Sequence, residues 1–164
     1  MKKYELTDET KCFCGRTLHR IVALRDFGSV KKGDKGGWIE KEDNLSHEGN
    51  CWVYGYAKVY DNAEVCDEAV VYGYAKVYDN VKVCGNAKVC GCAEITGNED
   101  YIVFKNWWSS GRYFTWTRSN NMWLVGCFYG TGDELIKKAY ADSENKGKHY
   151  EEIVEYVNKC VLGK

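Results

Sequence analysis

From Val53 to Ile95 an apolar residue returns at every sixth position: Val53, Val59, Val65, Val71, Val77, Val83, Val89 and Ile95. Four places after each of the first seven stand Ala57, Ala63, Ala69, Ala75, Val81, Ala87 and Ala93. A third column, Gly55, Asp61, Asp67, Gly73, Asp79, Gly85, Gly91 and Gly97, holds residue types that accept tight turns and left-handed backbone. A period of six matches neither the 3.6 of a helix nor the two-residue alternation of a long strand, and it predicts a short strand, a corner and the next strand. Three hexads make a coil of 18 residues, and Val53 to Asn62 recurs letter for letter at Val71 to Asn80, one such coil later. The pattern is that of a solenoid, with strands of successive coils ~4.8 Å apart and the valine and alanine columns filling the interior.

The flanks read differently. The hexad register extends back through Gly49, Asp43 and Gly37, with Cys51, Leu45 and Ile39 in the small-residue column and His47 in the valine column, so a β-helix is expected over 37–98. Residues 1–36 contain Thr17 to Leu24, a β-branched and apolar run bounded by Gly15 and by Asp26 to Gly28, which predicts a hairpin or strand pair capping the first coil. After Asn98 the period stops. Within 99–164, three strands are expected at Tyr101 to Lys105, Gly111 to Arg118 and Met122 to Tyr129, the last two joined by a turn at Ser119-Asn120-Asn121. Thr131-Gly132-Asp133-Glu134 is a capping-box sequence ahead of Leu135, Ile136, Ala139 and Tyr140, and Tyr150, Ile153, Val154, Val157 and Val161 make a second helical stripe. The expected fold is mainly β: a β-helix with an N-terminal β cap and a small C-terminal α+β domain, a three-stranded antiparallel sheet carrying two helices.

The V-x-x-x-A-x pattern resembles the hexapeptide repeat of bacterial acyltransferases, a resemblance that implies a left-handed parallel β-helix, often trimeric. Glycine stands two places after valine in Val53-Tyr54-Gly55, where the transferase pattern has it one place after. The wider stretch, with Gly15 to Leu18, Phe27-Gly28, Gly36 to Glu40 and Asn44 to Ser46 leading into the repeats, is similar to uncharacterised hexapeptide-like proteins of bacteriophages and prophages. Gly126 to Thr131 likewise resembles a strand-to-helix corner at the ends of such phage proteins. No reaction comes with either likeness.

Charge narrows the partners. Lysine and arginine total 23 against 24 acidic residues, so bulk attraction to nucleic acid or an anionic membrane is not expected. No apolar run is long enough to cross a bilayer and the first nine residues lack an export signal, so a cytoplasmic address is expected, that of the bacterial host if the chain is phage-encoded. The cysteines number nine, an odd count without an export signal, which favours reduced thiols. Cys12-Phe13-Cys14 and Cys90-Gly91-Cys92 lack zinc-ribbon spacing, and neither a metal nor a cofactor is expected.

For chemistry, an acyltransferase needs a histidine base beside a coenzyme cleft, and among His19, His47 and His149 only His47 lies in the β-helix. The outward columns place Tyr54 over Tyr72, Tyr60 over Tyr78 and Tyr56 over Tyr74, aromatic ladders suited to an oligomer interface and a homotrimer. Cys66 and Cys84 form a further ladder. In the terminal domain Trp107, Trp108, Ser109, Ser110 and Arg112 combine two indoles, two hydroxyls and a guanidinium in one loop, a set that can grip a peptide or a nucleotide-like ligand. The reading is a non-enzymatic binding or scaffolding protein that displays a recognition domain to a host or viral protein, in the service of inhibiting a bacterial defence system. The alternatives are a hexapeptide acyltransferase and a sponge for a small nucleotide signal.

Overall fold

The computed structural model describes residues 1–164. Strands β1 (Tyr4–Phe13) and β2 (Arg16–Ala23) form a hairpin that closes at Cys14 and Gly15, both with left-handed φ. β3 (Lys35–Ile39) pairs antiparallel with β2 and parallel with β5 (Lys58–Val59), and β8 (Lys76–Val77) and β11 (Glu94–Ile95) continue the same sheet. The cap is therefore an extension of one face of the β-helix. A second face stacks β4 (Trp52–Val53), β7 (Val70–Val71) and β10 (Lys88–Val89). The third pairs β6 (Glu64–Val65) with β9 (Lys82–Val83), with Leu45 bridging to Val65.

The corners explain the third column of the repeat. Gly55, Asp61, Asp67, Gly73, Asp79, Gly85 and Gly91 all take φ between 57° and 67°, whereas Gly97, where the last coil ends, is extended. The valine and alanine columns are fully or almost fully buried and form one continuous core. Burying each valine stabilises by about 1.5–3 kcal/mol, so stacked coils hold together although each strand is two residues long.

The first coil corrects the extrapolated register. Ile39 pairs with Val59 and Leu45 with Val65, twenty residues on, while Val53 pairs with Val71, eighteen on. Two extra residues thus sit between Leu45 and Cys51. Ile39 and Leu45 occupy the valine column rather than the small-residue column, because the two added residues shift the register upstream of Cys51. His47 leaves the valine column for the resulting bulge. Lys3, fully buried, holds this bulge by donating to the carbonyls of Cys51 (2.8 Å), Gly49 (3.4 Å) and Glu48 (3.5 Å). Burial lowers its pKa.

In the C-terminal domain the expected third strand breaks at Gly126, which takes φ +58°, so the sheet has four strands rather than three. They are β12 (Tyr101–Lys105), β13 (Tyr113–Thr117), β14 (Met122–Val125) and β15 (Phe128–Gly130), paired in that order. Helices α1 (Gly132–Asp142) and α2 (Glu144–Tyr156) follow, and α2 runs on into a π-helical turn at Val157–Val161. The capping box is formed: the Thr131 hydroxyl accepts from the Glu134 amide, and the Glu134 carboxylate accepts from the Thr131 amide at 2.8 Å. His149 lies in the middle of α2.

Alternation along the strands sandwiches this sheet. Tyr101 and Val103 pack on the solenoid core, while Ile102, Phe104, Phe114, Trp116 and Trp123 pack with the helices. Amides of the last coil donate to the sheet, Lys88 to Thr115 Oγ1 (3.1 Å) and Glu94 to Ser119 Oγ (2.8 Å). The domain closes the open end of the β-helix. No helix is long and apolar enough to cross a membrane.

Candidate functional site

The loop between β12 and β13, residues 106–112, is built around Asn106. Its buried side chain accepts from the Ser109 amide and hydroxyl, both at 3.0 Å, and donates to the Tyr150 hydroxyl at 3.2 Å. Backbone bonds from Asn106 to Arg112 and from Gly111 to Asn106, each 2.8 Å, close the loop, and Gly111 supplies the left-handed residue that the closure requires. The loop is thereby tied to both its own strands and α2.

The two tryptophans take opposite roles. Trp108 turns inward, stacks on His149 at 4.6 Å and meets the edges of Phe114 and Tyr150. Its Nε1 is buried with no hydrogen-bond partner. Trp107 is 74% exposed and rests edge-on against His149 (5.1 Å) and Trp108 (6.0 Å). Ser109 and Ser110 border a cleft of about 200 Å³ over Lys138, Asp142 and Lys146 of the helices. Ser110 and Arg112 share a second, of about 220 Å³, with Tyr113 and Cys127. The exposed guanidinium of Arg112 makes no ion pair and no hydrogen bond, and it also borders a groove of about 590 Å³ where Glu68, Asn86 and Lys88 of the β-helix meet Tyr113 and Cys127. The five residues of the sequence motif do not line one common cavity; they are spread around the loop. Lys88 comes beside Arg112 through the docking of the domain on the last coil, and Cys127 through the fold of the domain's own sheet, neither of which a local motif reports.

The tyrosine ladders stack as the 18-residue period requires. Tyr56 and Tyr74 lie parallel at 5.3 Å, 58% and 60% exposed. Tyr60 and Tyr78 stack at 5.0 Å, yet Tyr60 is buried beneath the N-terminal hairpin, against Phe13, Leu18 and Trp38. Burial, and then Tyr78, push its hydroxyl up to about 12. Tyr54 and Tyr72 line a shallow groove of about 630 Å³ with Ser29, Val70, Gly73 and Lys88, and the Tyr54 hydroxyl meets Ser29 Oγ at 3.3 Å. Of the three ladders, Tyr56 with Tyr74 is the most exposed.

The histidines are all engaged. His47 stacks on Tyr4 at 4.3 Å, and its Nδ1 accepts from the Lys3 amide at 3.1 Å. An accepting Nδ1 places the proton of the neutral ring on Nε2, which is buried and faces Glu42 at 3.6 Å. Neither nitrogen is presented to a substrate. His19 Nδ1 meets the Thr7 carbonyl at 3.3 Å, and His149, on α2, packs against both tryptophans. All nine cysteines are free thiols, and Cys66, Asp67 and Cys84 converge on the third face of the β-helix.

No family model matches the chain. Part of it is similar to the uncharacterized acetyltransferase YdcK of Escherichia coli strain K12, 40% identical over an alignment of 62 positions, with 33% of this chain covered. The match spans 19% of the length of that relative, so the likeness covers a segment of each protein.

Proposed function

We propose that the protein is a non-enzymatic recognition protein, in which a rigid β-helix carries a capping domain that engages a partner through Trp107 and Arg112. The observation that carries this reading is the state of Trp107: 74% exposed, resting against His149 and Trp108 on a loop tied down by Asn106. An exposed indole that rests on its neighbours, on a loop that also carries an unpaired guanidinium, supplies the two residue types that most often act as binding hot spots. The partner suggested by the likeness to phage proteins is a host or viral protein. Self-association into a trimer would use the Tyr56 and Tyr74 ladder together with the Tyr54 and Tyr72 groove, and would multiply the recognition loops.

The test compares the full chain with Trp107→Ala/Arg112→Ala on a solid support in bacterial lysate. The reading expects a protein retained by the first and lost by the second, with the two melting alike. Equal retention by both would overturn it. Light scattering decides the trimer: a single chain at micromolar concentration removes that part.

A second reading, acyl transfer, is favoured by the acetyltransferase likeness. It requires a base that the engaged His47 does not provide in this arrangement. Millimolar acetyl coenzyme A that leaves the melting temperature unchanged would eliminate it.

A further inference from the structure

Cys66, Asp67 and Cys84 meet because of the period itself. Cys66 and Cys84 are eighteen residues apart and directly follow the paired Val65 and Val83, so the two thiols stack across adjacent coils. Asp67 turns the corner in the left-handed region at φ +57°, at a place where the coils on either side use Gly49 and Gly85. Its carboxylate is fixed by the Gly85 amide at 2.9 Å, which leaves its other oxygen free. One ligand atom from each of the three residues lies within 4.8 Å of the other two. Four-coordinate zinc with bonds of about 2.3 Å to sulfur and 2.0–2.2 Å to oxygen needs ligand atoms about 3.5–3.8 Å apart, a closure that small side-chain rotations on a fixed backbone supply.

We propose that Cys66, Asp67 and Cys84 form a binding site for a thiophilic divalent cation of the zinc class. Two sulfurs and one oxygen select zinc or cadmium over magnesium or calcium, which take oxygen sets. The fourth position falls to water or to the Tyr101 hydroxyl, which lies beside Cys84 and also donates to the Lys82 carbonyl at 3.0 Å. Lys82, the neighbouring cation, is engaged by Glu64 at 3.4 Å and so opposes the metal less. Cys66 is buried and Cys84 half-buried, while Asp67 faces solvent and gives the ion a way in. The ion would bridge the second and third coils on the face whose ladder has only two strands, β6 and β9.

The test is cobalt titration of the full reduced chain, read by thiolate-to-cobalt charge-transfer absorption and by the stoichiometry of zinc in native mass spectrometry. One equivalent is expected, with the band lost in Cys84→Ser and kept in Cys92→Ser, an exposed thiol outside the cluster. No band, or a band that survives Cys84→Ser, overturns the site. If Cys84→Ser does not fold, Asp67→Asn decides. Asparagine keeps the corner and the bond from Gly85 but loses the charged ligand, so affinity should fall at least about tenfold, since even outer-shell changes cost that much. Unchanged affinity in Asp67→Asn refutes the proposal.

Discussion

Trp107 and Trp108 are adjacent in sequence and opposite in environment, so their truncation separates a site from a core. Trp→Ala in a core costs about 3–5 kcal/mol. Trp108 is packed on His149, Phe114 and Tyr150 but keeps a partly open edge, which brings the expected loss for Trp108→Ala to about 2–3 kcal/mol. For a chain of this length each kcal/mol moves the midpoint by about 2–4 °C, so a fall of roughly 4–12 °C is expected. Trp108→Phe should cost less, within about 1 kcal/mol, because it keeps a stacking ring and removes the buried, unpartnered Nε1, an orphan donor that itself costs about 1–3 kcal/mol. Trp107→Ala removes a ring that touches only the edges of its neighbours and should stay within about 0.5 kcal/mol. Calorimetry and urea unfolding of the full chain measure all three. Equal losses from the two alanine variants, or a Trp108→Ala loss below about 0.5 kcal/mol, would show that the loop is not partitioned as described.

Other parts of the molecule give further tests. Lys3→Ala deprives three backbone carbonyls of the bulge of their donor and should destabilise by about 2–4 kcal/mol, with β1 losing hydrogen-exchange protection first; retained protection would refute the role given to Lys3. Gly85→Ala and Gly91→Ala both force alanine into left-handed backbone, at about 1 kcal/mol, but only at Gly91 does the new methyl run into the Tyr129 hydroxyl. Gly91→Ala should therefore be the worse of the two, and Tyr129→Ala should abolish the difference in urea unfolding; a difference that persists places its cause elsewhere. Alkali should unfold the protein. Burial raises the pKa of Tyr60 to about 12 and lifts Cys90 and Tyr150 above their ordinary 9.0 and 10.0, so the folded state keeps protons that the unfolded chain releases. That stability is complete below about pH 9 and is lost as pH rises through the folded values. A melting temperature flat from about pH 8 to about pH 11 would contradict it.

What the sequence shows and what it hides follow from how each feature is encoded. The coils from Val53 onward are legible because every inward position is specified by size and every corner by backbone conformation, so one register satisfies both. The first coil departs where two residues enter between Leu45 and Cys51, and nothing in a local hexad reports a compensating buried Lys3 more than forty residues upstream. β1 is hidden for a related reason: it is an edge strand with mostly polar, partly exposed side chains, as edge strands that avoid mispairing tend to be, so its apolar count is low. The site obeys the same division. A loop motif of aromatic and charged residues states what is available but not which way each side chain turns, and here that choice is made by Asn106 and His149, one of them on an element more than forty residues away. The cysteine cluster is the converse case. A search for short spacings such as C-x2-C passes over Cys66 and Cys84, whereas the 18-residue period makes them neighbours as firmly as it does Val65 and Val83. In a solenoid the chemically meaningful spacing is the length of the coil, and ligands, ladders and steric conflicts should be sought at that interval before they are sought in adjacent residues.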